Sequence, residues 1–513
     1  MRYFTLCSLL SILLGALPVS SDTPAHIAAL YRRLDPLSIP ELIAFHELYP
    51  ETPEGESAQA SAWALLTGES SRRSATLGPL FSPTLILSLL APFTSLQFDG
   101  ACDIGDEELE LAERLGRRLP NHSLKGHWII SKEELLALPP DEVSLSRGLL
   151  ITLFGGQPGG ERLIRIYEAL LDVMALQILP RAPLNSSPEK KIDAINHLLF
   201  SRLRLRFPPH SLYSKEVDLY TFLPSVLESK RGVCLGVSTL YLALAQRLAL
   251  PLEAVTPPGH IYLRYRDAGQ TINIETTHRG VDLPTTRYLS IHTRDLQVRN
   301  IKEVIGATFF NQAASLWQRG LAQEAKAAYE TALEFLPTDP LVKEFLAYLT
   351  LLTGNLEAGL RLGQEALATP SGYTIGEGGS LEDLLSNKVD LEGIEAIYMW
   401  VDESRESILA KQQRIKATLD RHPEFRGGLF HLAITHLQLG RTREAAAALE
   451  TLHSIDKENL IALFYLSNIH AARHDYPKAW DYLRQAEAQA SIERLAPKVL
   501  KELRSALNSV CPE

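Results

Sequence analysis

The chain has 513 residues, and its 45% hydrophobic and 22% charged residues are the proportions of an ordinary folded protein of about three domains. This composition excludes collagen-like, low-complexity and polytopic membrane proteins. The formal net charge of −10, from 51 Lys and Arg against 61 Asp and Glu, gives the chain no overall attraction for nucleic acid or an anionic membrane.

The first 21 residues have the layout of a secretory signal peptide. A short basic start precedes an apolar run over residues 4–17, and small residues follow at 18–21. The run is shorter than the ~20 apolar residues that span a membrane, although a retained anchor remains the alternative. We expect cleavage after Ser21 and an exported mature protein, periplasmic or secreted, without a membrane span.

Residues 22–189 are predicted to form a helical N-terminal region, with helices beginning near Ile39 and Glu107 and a long helix over residues 162–179. Residues 155–160 are glycine-rich but lack the Gly-Lys-Ser/Thr ending of a phosphate loop, so they predict a linker or turn. Residues 202–207 alternate Arg with apolar residues, which predicts a short strand or extended segment. We interpret it as a solvated edge rather than as an anion site.

Residues 303–513 contain an internal repeat with a step of 34 residues, the period of tetratricopeptide repeats. When residues 426–459 are aligned with those from 460 onward, small residues meet small ones and large apolar residues meet large ones. The matching pairs include Leu432 with Leu466, Ala445 with Ala479, and Leu449 with Leu483. Small residues let two antiparallel helices approach closely, and large ones fill the seam between them. The repeat therefore predicts an α-solenoid.

Earlier repeat units are expected at residues 306–339 and 340–367, with Gly320 and Gly354 at the turns between helices. A glycine-rich stretch follows, so residues 371–425 are predicted to be an irregular insert. Solenoids present curved surfaces that bind protein segments, so we expect a protein or peptide partner. The alternative is a solenoid that only packs on the neighbouring domain.

The residues that could carry chemistry lie between the helical region and the repeats. Cys234 is predicted at the first turn of a buried helix, where the helix dipole and the preceding Lys230 and Arg231 favour a thiolate. His260 opens a predicted strand, and Glu275 lies on the returning strand of the same hairpin. Cysteine, histidine and a carboxylate in this setting form a nucleophile, a base and an orienting group.

The register of this hairpin follows from its turn. If residues 268–269 form a two-residue loop, Tyr262 lies opposite Glu275, and His260 lies opposite Thr277. His260 and Glu275 are then diagonal neighbours on one face, with Cα atoms ~7–8 Å apart. Side chains of this length can close that gap.

This order of residues resembles the transglutaminase-like superfamily of papain-like folds. It looks closest to a bacterial branch in which a Gly-x-Cys helix is followed by Leu-Pro, here residues 250–251, and by Pro-Gly-His, here residues 258–260. The resemblance covers about residues 190–300 and implies a domain at 190–302. By this resemblance Cys234 is the nucleophile, His260 the base and Glu275 the third member, where the family more often has Asp.

The predicted fold class is therefore α+β and predominantly helical: a transglutaminase-like core with a small antiparallel sheet, then the solenoid. The implied function is a thiol hydrolase or acyl transferase acting on amide or peptide bonds, with no cofactor. No strong zinc signature occurs, and His278 and Asp282 are spare acid–base candidates. The alternatives are a non-catalytic pseudoenzyme whose repeats bind a partner, and a repeat scaffold that docks in an envelope assembly.

Overall fold

A computed structural model describes residues 23–68, 104–208 and 218–513, apart from residues 268, 370, 377–378, 403 and 496. The predicted signal peptide at residues 1–21 lies outside the described residues. Within the described ranges, every helix is too short or too polar to cross a membrane.

Helices build most of the described chain before residue 200. The helices predicted near Ile39 and Glu107 and over 162–179 are confirmed, and residues 155–160 form a turn in which Gly156 and Gly159 both have a φ of +76°. The helices are α1 Pro24–Tyr31, α2 Ile39–Leu48, α3 Pro53–Thr67, α4 Asp106–Gly116, α5 Lys132–Ala137, α6 Leu145–Phe154, α7 Gly160–Ile178 and α8 Pro188–Asn196. Short 3-10 turns occupy Pro120–Ser123, Lys125–His127 and Pro140–Glu142.

A helical layer and a small sheet form the middle of the chain. The helices are α9 Asp218–Thr221, α10 Leu223–Ser229 and α11 Cys234–Arg247. The strands are β1 Glu253–Thr256, β2 Tyr262–Arg266, β3 Thr271–Glu275, β4 Val281–Asp282 and β5 Gln297–Arg299, with 3-10 turns at Thr276–His278 and Thr285–Tyr288. Among the described residues these strands form one antiparallel sheet in the order β4-β3-β2-β1-β5.

The predicted hairpin register is confirmed. Leu263 lies opposite Ile274 and Arg266 opposite Thr271, which places Tyr262 opposite Glu275 as expected. Strand β2 begins at Tyr262, two residues later than predicted. The reason is a tight turn before it, in which the His260 N–H donates to the Pro257 carbonyl and Gly259 takes a φ of +72°.

The alternating segment at 202–207 is only partly extended. Its first residue, Arg202, ends a π-helical turn over His197–Arg202, and Leu203 follows with helical backbone angles. Arg206 then forms a single parallel bridge with Arg231: its N–H donates to the Lys230 carbonyl, and its carbonyl accepts from the Gly232 N–H, both at 3.1 Å. This bridge holds the segment beside the residues that lead into α11.

The C-terminal part consists of antiparallel helical hairpins, as the 34-residue period predicted. The hairpin helices are α12 Ile301–Gln318, α13 Ala322–Phe335, α14 Pro340–Leu352, α15 Leu356–Ala368, α19 Arg426–Gln438, α20 Thr442–Ile455, α21 Leu460–Ala472 and α22 Tyr476–Ile492, with α23 Lys498–Val510 after them. The turns contain Gly320, Gly354, Gly440 and His474, all with positive φ. A residue in the left-handed conformation ends the first helix of each hairpin, and the second helix begins after it.

Three helices lie within residues 371–425, the segment predicted as an irregular insert. They are α16 Ser380–Leu385, α17 Leu391–Tyr398 and α18 Arg405–Arg421. They bury an apolar cluster of their own that includes Ile394 and Ile415, and Tyr348 of the preceding hairpin joins it. The glycine-rich stretch therefore breaks the repeat period without ending the helical array.

One continuous hydrophobic cluster links the N-terminal helices, the sheet and the first repeat hairpin. It extends from Ile27 to Val342. At the contact between α6 and α12, a Cβ added to Gly148 would lie 2.6 Å from the Ile305 Cδ1 atom, so a larger residue there would displace the end of that side chain. The Lys302 amino group also donates to the Leu136 carbonyl at 2.7 Å.

A buried ionic network joins α7 to the C-terminal end of α11. The fully buried Arg247 guanidinium contacts Asp172 at 2.7 Å and Glu168 at 2.8 Å. His122 contacts the other Asp172 oxygen at 2.8 Å, and its ring lies 3.9 Å from that of His127. Burial alone would raise the pKa of Asp172, but the charge of Arg247 and the bond from His122 lower it overall. The network thus balances the buried positive charge of Arg247 with the carboxylates of Asp172 and Glu168.

Ala445 gives a direct test of the repeat packing. It is fully buried in α20, so Ala445→Leu should overpack the seam and lower the free energy of unfolding by about 1–3 kcal/mol. The control is Ala447→Leu on the same helix, where the side chain is exposed and the change should stay within about 0.5 kcal/mol. Urea denaturation followed by circular dichroism measures the free energy of unfolding of both variants. If the two substitutions have equal effects, Ala445 does not pack in the seam.

Candidate functional site

Cys234 is the first residue of α11, as predicted. Its preceding residue, Val233, has no side chain that could cap the helix, so the first-turn N–H groups are not consumed by a cap. The helix lies close to the chain before it: a Cβ on Gly236 would be 2.1 Å from the Tyr220 carbonyl oxygen. That carbonyl also accepts from the Val233 N–H at 2.9 Å, which fixes the start of the helix.

His260 and Glu275 meet across the hairpin. The His260 Nε2 and the Glu275 Oε2 atoms are 2.8 Å apart. The carboxylate side chain is 3% exposed, whereas the imidazole is 30% exposed, so the ring has one protected side and one accessible side. Cys234 lies near enough to the imidazole that its interaction with the ring raises the pKa of His260. All three predicted site residues are therefore brought together.

Charge and hydrogen bonding hold the His260–Glu275 pair in its ionised form. Burial alone lowers the pKa of His260, but hydrogen bonds and charge interactions with Cys234 and Glu275 raise it to about 10. Burial alone raises the pKa of Glu275, but hydrogen bonds from His260 and Thr277 and the charge of His260 lower it to about 2. At neutral pH the histidine is an imidazolium and the glutamate a carboxylate.

Thr277 fixes the glutamate from the other side. Its hydroxyl donates to the Glu275 Oε1 atom at 2.6 Å, and its N–H donates to the same oxygen at 3.1 Å. The neighbouring Thr276 hydroxyl lies 3.0 Å from that of Ser238, one turn along α11 from Cys234. The 3-10 turn after β3 thereby ties the carboxylate to the helix that carries the cysteine.

An aromatic stack covers the histidine. Tyr288 lies parallel to Tyr262, with ring centroids 3.8 Å apart, and at 6.0 Å from the His260 ring with an interplanar angle of 15°. Burial first, and then the nearby Glu275, raise the pKa of Tyr288, which therefore stays neutral. The stack limits how far the imidazole can rotate.

The two spare candidates occupy other positions. His278 is exposed, and its Nδ1 atom lies 3.1 Å from the Thr277 hydroxyl. Asp282 accepts from the Asn273 N–H at 2.9 Å and closes the β3–β4 pair.

The sequence pattern did not indicate roles for Thr277 and Tyr288. The first could have been suspected from its place two residues after the carboxylate, but nothing in the local pattern marks Tyr288.

Across the described residues, no group of three or more His, Cys, Asp or Glu side chains is arranged to hold a metal ion. The donors around Cys234 are instead engaged with one another through His260 and Glu275.

Comparison with known proteins identifies the class of this central segment. Residues 165–304 match the family model described as transglutaminase-like superfamily. F-box only protein 21 is 33% identical over 85 residues in Mus musculus and 32% identical over 85 residues in Homo sapiens. These alignments cover 16% of this chain and only 13% of the length of those relatives. The chain thus contains a transglutaminase-like domain.

Solved structures with helical repeats resemble the chain distantly. MamA from Desulfovibrio magneticus RS-1 has 10% sequence identity and a TM-score of 0.20, and the match covers 36% of this chain and 95% of that one. The TPR2AB domain of yeast Sti1, solved as a pHSP90 complex, has 16% identity and a TM-score of 0.20, covering 40% and 84% respectively. The described chain thus combines a transglutaminase-like segment at residues 165–304 with antiparallel helical hairpins that follow it.

Proposed function

We propose that the protein is a thiol hydrolase or acyl transferase acting on amide bonds in peptides. The observation that carries this proposal is the contact of His260 with both Cys234 and Glu275. An imidazolium beside a cysteine at a helix start is the setting in which a thiolate is stabilised. The partly exposed ring leaves one side open to a substrate.

The reaction follows from these positions. The Cys234 thiolate attacks the amide carbonyl carbon, and the first-turn N–H groups of α11 are placed to stabilise the oxyanion. The carbon–nitrogen bond then breaks, and the His260 imidazolium gives its proton to the leaving amine. Neutral His260 next takes a proton from water or from an incoming amine, which attacks the thioester and releases Cys234. Glu275 holds the imidazole throughout.

Formation of the acyl-enzyme tests the proposal directly. Incubation with p-nitrophenyl acetate should place an acetyl group on Cys234, detected by peptide mass spectrometry. Cys511, a second cysteine of the described chain that is partly exposed, is the internal control and should react more slowly. A primary amine added afterwards separates transfer from hydrolysis. Acetylation of both cysteines at one rate would contradict the proposal.

Thr277 should act as a positioning residue. Thr277→Val removes the hydroxyl that holds the Glu275 Oε1 atom while keeping the side-chain shape, so turnover should fall roughly ten-fold, the cost of one hydrogen bond to a charged group. Thr277→Ser should restore most of the rate. The pH profile distinguishes this role from a structural one, because a looser Glu275 lowers the pKa of His260. If the pH profile of turnover is unchanged in Thr277→Val, Thr277 does not position Glu275.

A second function fits the repeat hairpins. The transglutaminase-like domain is joined to a helical array of the kind that binds protein segments, which suggests a protein-interaction scaffold. In the proposed enzyme the hairpins present the substrate or a partner. In the alternative, the central domain is a non-catalytic remnant and binding is the whole function. A Cys234 that resists acetylation in the folded protein would favour that alternative.

Export is proposed from the first 21 residues alone. Their basic start and apolar run support a periplasmic or secreted mature protein. N-terminal sequencing of the protein from its native host tests this. A first residue near Asp22 supports export, and a cytosolic protein that keeps Met1 would contradict it.

A further inference from the structure

A cavity of about 130 Å³ lies beside the candidate site. Its lining joins the segment before Cys234, through Gly232, to the turn after Glu275, through Thr276 and Thr277. It is large enough for a side chain rather than for a single water. Its walls come from residues that flank Cys234 and from residues that follow Glu275, so a group in this cavity lies on the segments that carry the nucleophile and the carboxylate.

The cavity is apolar inside and basic at its edge. Leu205 and Val237 are buried lining residues, whereas Arg206 and Arg279 line it from exposed positions. Among the described residues that line it, none is acidic. A guanidinium is a planar, permanently charged donor that matches a carboxylate in two-point geometry. The lining therefore favours an anionic group that is attached through a short aliphatic chain.

Both arginines are held in place by their backbone and not by carboxylates of the described residues. Arg206 is bridged to residues 230–232 by two hydrogen bonds of 3.1 Å. Arg279 has a left-handed φ of +59°, a conformation that costs a residue with a Cβ free energy and is concentrated at functional sites. Neither guanidinium has a hydrogen bond or ion pair to another described residue.

Further arginines near the cavity add to the positive charge of Arg206 and Arg279. Arg204 and Arg231 are also exposed on the two bridged segments. Four cations thus gather near one cavity in a chain whose net charge is −10. The sequence alone favoured a solvated edge for the segment at 202–207. Its bridge to residues 230–232, just before Cys234, is what brings Arg206 to the site.

We infer that this cavity, lined by Arg206 and Arg279, is a specificity subsite for an acidic side chain next to the attacked carbonyl. The inference rests on the proposed thiol chemistry and names its substrate class, an amide in a peptide that carries a glutamate or aspartate at this position. The arginines bind the carboxylate, and the apolar lining takes its methylene groups.

Matched alkylating probes test the subsite through Cys234 itself. One pair is acetyl-Ala-Glu and acetyl-Ala-Gln chloromethyl ketone, which present the side chain before the carbonyl. The other pair is iodoacetyl-Glu-amide and iodoacetyl-Gln-amide, which present it after the carbonyl. The rate of Cys234 alkylation is measured by peptide mass spectrometry, and iodoacetamide on each variant corrects for changes in thiol reactivity.

In at least one pair, the Glu probe should react about ten-fold faster than the Gln probe, as expected for one charge-assisted hydrogen-bonded pair. Arg206→Ala with Arg279→Ala should bring the ratio to about one, and Arg279→Glu should invert it. Arg33→Ala, an exposed arginine that follows α1 and lies outside both the lining and the bridged segments, should keep the preference.

Two results would overturn the inference in different ways. If Cys234 is alkylated but Gln probes react as fast as Glu probes in both pairs, the subsite is wrong and the thiol chemistry stands. If no probe, iodoacetamide included, alkylates Cys234 in the folded protein, the proposed function fails and the subsite fails with it.

Discussion

At pH 6, His260→Ala should slow the alkylation of Cys234 by iodoacetamide by roughly ten- to a hundred-fold. The pKa of His260 is raised to about 10, which keeps an imidazolium beside the sulfur, and an adjacent cation favours the thiolate that reacts with iodoacetamide. The rate of the variant should recover as the pH rises, because hydroxide then generates the thiolate without the histidine, so the two profiles converge at high pH.

His278→Ala is the matched control. This histidine lies three residues after Glu275 and is exposed, so its removal should leave the profile unchanged. Glu275→Gln should shift the profile in the same direction as His260→Ala but less, because the imidazole itself stays beside Cys234. Native-state alkylation that ignores both pH and His260 would end the hydrolase proposal and leave the scaffold.

Arg247→Met should lower the free energy of unfolding by about 3–5 kcal/mol. Arg247 is fully buried, and its removal leaves the buried carboxylates of Glu168 and Asp172 without their cation. The loss should be smaller at pH 5, because protonation relieves an uncompensated carboxylate. Hydrogen exchange in α7 and α11, together with urea denaturation, measures the effect and its location.

Arg421→Met is the matched control for this network. Arg421 also contacts two carboxylates, Asp390 and Glu392, but it is 43% exposed, so its loss should cost only about 0–1 kcal/mol. Replacing all three charges, as Arg247→Met with Glu168→Gln and Asp172→Asn, should recover part of the stability. Similar losses in both single variants would show that burial does not set the strength of the network.

Local patterns predicted the hairpin and the helix of the candidate site correctly. A two-residue turn fixes the pairing of every residue behind it, so the placement of Tyr262 opposite Glu275 followed from counting. The glycine before Cys234 and Pro251 after the helix bounded α11 in the same way. Hairpin registers and helix ends depend on residues that are neighbours in the sequence, so the local amino-acid pattern predicts them.

Long-range contacts could not be predicted in this way. Arg247 meets Asp172 from 75 residues away, and nothing in the spacing of either helix indicates the pair. Tyr288 reaches the His260 ring from a 3-10 turn beyond the sheet. The alternating arginines suggested a strand, but a π-helical turn takes Arg202, and only a single bridge forms at Arg206. Tertiary packing decides these positions.

The uninterrupted apolar cluster from Ile27 to Val342 has a consequence for unfolding. Solenoid hairpins usually open one at a time, since each contacts only its neighbours. The first hairpin here shares its core with α6, so it should open only when the whole N-terminal half does. The later hairpins, with their own cluster around Leu449 and Leu466, are free to fray from the C-terminal end. A protease would therefore shorten this protein from its far end and stop at a resistant fragment that retains the candidate site.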